Sequence, residues 1–156
     1  MLAFARARGL PLACFGTVAG GWLSDRWLGV AAAPRGFAPP PGATVSMRMY
    51  AQPLARWSRG DWALFQELLR ALRAVADRRG TTVANVAVAW VLRRLDDLGA
   101  GGWAIVGVRD DAHVAEHAAL LRGEVALDDD DMASVAAVLD KGAAPVGDIW
   151  SHERGG

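Results

Sequence analysis

Apolar residues recur along the chain mostly at helical spacing. Leu64, Leu68, Leu72 and Val75, broadened by Phe65 and Leu69, predict a helix over 61–79 that Asp61 can cap and Gly80 can close. Val83, Val86, Ala87, Trp90 and Val91 predict another over 82–95, capped by Thr82. Val114, Ala118 and Leu121 form the inward stripe expected of a helix over 111–121. Met132, Val135, Ala136 and Leu139 do the same over 128–139. The acids Asp128 to Asp131 suit the positive N-terminal end of that last helix. Near the start, Leu2, Ala3, Phe4, Ala5 and Ala7 favour a helix that Gly9 and Pro11 stop. It has no visible beginning, and the expectation is that structure precedes it.

Two apolar runs lack this period. Leu12, Ala13, Cys14 and Phe15 lie between Pro11 and Gly16, and the run over 103–106 (Trp103, Ala104, Ile105, Val106) stops at Gly107. Both read as buried strands of the near-continuous kind found in parallel sheets. Residues 30–60 hold five prolines and few apolar periods, and read as a long irregular connection. Two such strands cannot form a sheet buried on both faces. A (β/α)₈ barrel typically needs about 250 residues, or about 30 per unit. The predicted fold class is therefore α/β, a partial (β/α)₈ TIM barrel that is helix-rich as an isolated chain, with residues 1–156 belonging to a single domain.

Composition narrows the function classes. With 156 residues, 53% hydrophobic and 22% charged, the chain matches an ordinary globular domain rather than a disordered one. Its formal net charge of zero argues against a nucleic-acid binder. The lone Cys14 excludes an internal disulfide, and no Cys/His cluster suggests a metal site. No run approaches the roughly 18–20 apolar residues of a membrane span. Arg6 and Arg8 interrupt what would be the apolar region of a signal peptide, so a cytoplasmic location is expected.

The candidate chemistry sits after the two strands. Glycines at strand ends let backbone approach a ligand, and a helix starting near Asp110 offers N–H groups to an anion. Arg109 can grip a phosphate with two hydrogen bonds or stack on adenine. Barrel enzymes often place a phosphate site after their last two strands. Neither a GxGxxG nor a Walker pattern occurs. His113 and His117, four apart on one helix face, superficially suggest a metal pair but have no third ligand in sequence. Trp22, Trp27, Trp57 and Trp62 suit either a core or the wall of a substrate pocket.

At residues 14–24 and again at 105–109, the sequence resembles the C-terminal half of the aldo-keto reductase superfamily. The helical stretches at 68–76 and 82–92, the segment through Glu116 and His117, and the helix after Asp128 match in order and spacing. The resemblance covers nearly the whole chain. It implies the seventh and eighth strands of a barrel that uses NADP(H) to reduce carbonyls or oxidise alcohols. On it, Phe15 matches an aromatic residue stacking on the nicotinamide, and Gly16, Thr17 and Val18 match a pyrophosphate-binding turn. Gly107, Val108 and Arg109 match the stretch recognising the adenosine 2′-phosphate, and His113, Glu116 and His117 match adenine-pocket positions. Three residues depart from the family pattern: Phe15 is often Tyr there, His113 Arg and His117 Asn.

The family's chemistry rests on an Asp, a Tyr, a Lys and a His carried on earlier strands. This chain has one tyrosine, Tyr50, and one lysine, Lys141, neither at a matching position. The expectation is a C-terminal fragment that keeps part of the cofactor site, lacks the catalytic residues and is inactive alone. Its small-molecule carbonyl or alcohol substrate belongs to the full-length family. Two alternatives are a non-catalytic half-barrel that docks onto an N-terminal half or self-associates, and a plain NADP(H)-binding domain. No nucleic-acid or membrane partner is expected.

Overall fold

The computed structural model describes residues 2–32, 37–108 and 111–146. Helix α1 (Leu2–Arg8) leads through Gly9, at φ +61°, into strand β1 (Leu12–Cys14). Two 3₁₀ turns, Ala19–Gly21 and Asp25–Trp27, precede α2 (Val45–Trp57), α3 (Trp62–Arg79) and α4 (Val83–Asp97). Strand β2 (Gly102–Ala104), α5 (Asp111–Leu121) and α6 (Asp129–Leu139) complete the order. The predicted caps are in place. Asp61 accepts from the Ala63 N–H and Thr82 from that of Asn85, and within the acidic run Asp128 also caps, accepting from the Asp131 N–H.

The connection expected to be irregular over 30–60 contains α2. Its prolines obscured an apolar period in which Met47 and Ala51 are buried and Tyr50 and Leu54 pack against the core. Thr44 caps the helix, and Pro53 lies inside it, where the ring removes a backbone donor. Tertiary anchors offset that loss. Trp22 Nε1 donates to the Met47 carbonyl at 2.9 Å, and Trp57 Nε1 to that of Leu139 at 3.0 Å.

The core lies among α2, α3, α4 and α6, and the tryptophans of the irregular stretch build part of it. Trp22 and Trp27 stack with ring centroids 4.5 Å apart, and Phe37, Trp62 and Phe65 pack edge-on or tilted around them. Gln66, buried in α3, pins this segment by accepting from the Gly29 N–H and donating to the Trp27 carbonyl, both at 2.8 Å. Trp22 and Trp27 are thus core residues rather than the wall of a pocket.

Strands β1 and β2 pair in parallel, with Leu12 opposite Gly102 and Cys14 opposite Ala104. Strand β2 begins and ends earlier than the predicted 103–106, although the Ile105 N–H still reaches the Cys14 carbonyl at 2.7 Å. The strands are not buried as expected. Alternation puts Ala13 and Phe15 on the same face as Trp103 and Ile105, and all four are exposed. Phe15 is 49%, Trp103 53% and Ile105 55% accessible. On β2, α4 packs against the sheet, with Leu95 reaching the backbone of Gly102. The inward stripe predicted for α5 is also displaced, because Val114 and Leu121 face solvent while His113, Glu116, His117 and Leu120 are partly covered.

Candidate functional site

Parallel pairing has a direct consequence for the candidate residues. Both strands run the same way, so the turn after Cys14 and the segment after Ala104 leave the sheet at one edge. The segments that begin at Phe15 and at Ile105 therefore start side by side, although they are distant in sequence. Arg109 lies outside the described residues.

The first turn is tightly built. Gly16 sits at φ +72°, and its carbonyl accepts from the Ala19 N–H at 2.8 Å. Ala19, Gly20 and Gly21 follow in succession at positive φ. Gly20 needs its missing side chain, because the carbonyl carbon and oxygen of Ser46 lie 2.6 Å from where a Cβ would stand. Thr17 is 92% buried by the complement of its 8% exposure, yet its hydroxyl has no hydrogen-bond partner among the described residues. A buried hydroxyl without a partner is a cost unless a ligand or solvent meets it.

The second cluster is held by helix packing. The His117 Nε2 lies 3.3 Å from the Gly107 carbonyl, which ties α5 to the segment leaving β2. The His113 and His117 rings are 6.3 Å apart at their centroids. Among the described residues no three His, Cys, Asp or Glu side chains group as metal ligands. Asn85, 1% exposed on α4, donates to the Glu116 carbonyl at 2.9 Å and to the Thr81 hydroxyl at 3.0 Å. It fixes α5 against α4. Sequence reasoning missed it; a polar residue at an inward helical position was the available signal.

The family model for the aldo/keto reductase family matches residues 1–140. The chain belongs to this family. No curated protein matches it. In this aldo/keto reductase chain, the glycine-bearing segments that carried the resemblance are the ones that leave the same end of the two-stranded sheet. Its only tyrosine and only lysine are engaged in different places: Tyr50 packs over Gly16, and Lys141 pairs with Glu67. No helix among the described residues is long and apolar enough to cross a membrane.

Proposed function

We propose that this chain forms the last two strand–helix units of an aldo/keto reductase barrel and carries part of its NADP(H) site. The observation that carries this reading is the turn leaving β1, where the buried Thr17 hydroxyl has no hydrogen-bond partner among the described residues and is left for a ligand to meet. On the family resemblance, Gly107, Val108 and Arg109 would take the adenosine 2′-phosphate, and His113, Glu116 and His117 would line the adenine pocket. NADP(H), when bound, supplies the hydride chemistry of the family. Phe15, 49% exposed on the bare face, keeps a ring surface available for stacking.

Reduction of a carbonyl also needs a proton donor, and Tyr50 and Lys141 do not form the Tyr–Lys pair that the family uses. The chain alone therefore binds without turning over, and the rest of the barrel must come from strands that cover Ala13, Trp103 and Ile105. The bare apolar face supports this, because inward-facing side chains of a closed barrel need opposite strands to pack against.

Titrating NADPH while following its fluorescence tests the cofactor reading. Wild-type chain should bind, and Thr17→Val should weaken binding about tenfold through loss of a charge-assisted hydrogen bond. Arg109→Ala should weaken it as well. Absence of binding at millimolar NADPH would remove the reading.

A further inference from the structure

Where α2 ends, an open cleft of about 540 Å³ is lined by Ser58, Arg59, Asp61, Glu67, Arg70 and Lys141, among others. Small-molecule sites commonly measure about 300–1,000 Å³. The cleft lies away from the Thr17 turn, since about 18 Å of helix separates Ser46, which meets Gly20, from Ser58. Its charge is unbalanced. Three cations share it with two carboxylates, of which Asp61 accepts from the Ala63 N–H at 2.8 Å and Glu67 pairs with Lys141. Arg70 has no hydrogen bond or ion pair among the described residues, and Arg59 reaches only the Lys141 carbonyl, at 3.4 Å. Two guanidiniums thus line one cleft without a carboxylate partner. Ser58 is 1% exposed, and its hydroxyl contacts only the Ala55 carbonyl, at 3.5 Å, a length at which a hydrogen bond is weak.

The backbone adds a second observation. Arg59 stands at φ +53°. Its N–H donates to the Arg56 carbonyl at 3.2 Å, and the Gly60 N–H to that of Ala55 at 2.8 Å, the paired bonds of a helix stop at which glycine is usual. An arginine held there carries left-handed strain that glycine would avoid. The helix C-terminus favours a cation, but Arg56 in the last turn already supplies one. Strain of this kind collects at ligand sites. We propose that the cleft binds a small molecule carrying phosphate groups, gripped by Arg59 and Arg70 with Lys141 as a third donor. Guanidinium forks match phosphate oxygens two at a time, and a multiply charged phosphate offsets the excess of cations. The site is separate from the cofactor turn and does not rest on the NADP(H) reading.

Lys141 is the only lysine, so a ¹³C-lysine label puts a single reporter in the cleft. Titrating inorganic pyrophosphate into the labelled full chain should shift that resonance along a saturating curve, while sodium chloride at matched ionic strength should not. Arg70→Ala and Arg59→Gly should each raise the pyrophosphate Kd at this reporter about tenfold. Arg59→Gly should also raise the melting temperature by relieving the left-handed backbone, so its weaker binding is not a failure to fold. Thr17→Val should leave the Lys141 curve unchanged. A curve that weakens with Thr17→Val, and not with the two arginine variants, would move the binding to the turn and overturn the cleft. A resonance that stays still at millimolar pyrophosphate overturns it too, whether or not NADPH binds elsewhere. Succinate binding as tightly as pyrophosphate would overturn the phosphate assignment.

Discussion

Asp131 carries its charge where charge is costly. Its side chain is 1% exposed, and its oxygens accept from Arg78 Nη2 at 2.6 Å and Arg79 Nε at 2.7 Å. Burial acts to raise its carboxyl, but hydrogen bonds from Arg78, Arg79 and the Asp128 N–H, with the Arg79 charge, hold it below the ordinary carboxylate range. A carboxyl depressed by folding stabilises above its unfolded value of about 3.9, and that stability drains as pH falls through the folded value. Asp131→Asn should cost about 1–3 kcal/mol at pH 7 by urea denaturation. The gap from wild type should narrow steadily below about pH 4; a gap unchanged at pH 2 would refute the assignment. The acidic run was legible as a helix start, and Asp128 and Asp131 form the reciprocal cap that such a start invites. The arginines were not legible, because they come from the far end of α3.

At the scale of elements, α2 and the turn it covers form one unit. Gly20 (φ +64°) faces the Ser46 backbone, whereas Gly29 (φ +76°) has open space where a Cβ would go. Gly20→Ala should therefore lose about 3 kcal/mol or more, from left-handed strain plus a clash with backbone that cannot yield. Gly29→Ala should lose only about 1 kcal/mol, from the backbone conformation alone. Chemical denaturation midpoints separate the two, and equal losses would mean that α2 does not rest on the turn. Helices α3, α4 and α6 could be read from apolar spacing and caps, which are settled within a turn or two of chain. Helix α2 could not, since Pro53 interrupts its local signal and its anchors, Trp22 to Met47 and Trp57 to Leu139, are remote in sequence. For α5, the inward stripe chosen from apolar residues was wrong. Asn85 turns the partly polar face of Glu116 and His117 toward α4 instead.

For the whole molecule, the sheet decides behaviour in solution. Helix α4 covers one side of β2, while Phe15, Trp103 and Ile105 leave the other face of the sheet apolar and accessible. Both outer strand edges also lack a neighbouring strand among the described residues. The isolated chain should associate with rising concentration in sedimentation velocity, and the pair Trp103→Lys and Ile105→Lys should return it to a monomer. A wild type that stays monomeric throughout would contradict a face built to be covered. Of the candidate site, the residue identities were readable in two separate segments. That both leave the same end of the sheet depends on the parallel pairing of Leu12 with Gly102.

The sequence by itself determined helices α3, α4 and α6 with the starts of each, and that two short segments extend as strands, because these follow from local spacing and local hydrogen bonds. Tertiary structure alone decided that the strands keep one bare face and that Tyr50 lies on Gly16. It also set the buried position of Asp131 between two arginines. Each of these depends on groups brought together from remote parts of the chain, and no local period encodes which remote partner fills a given space.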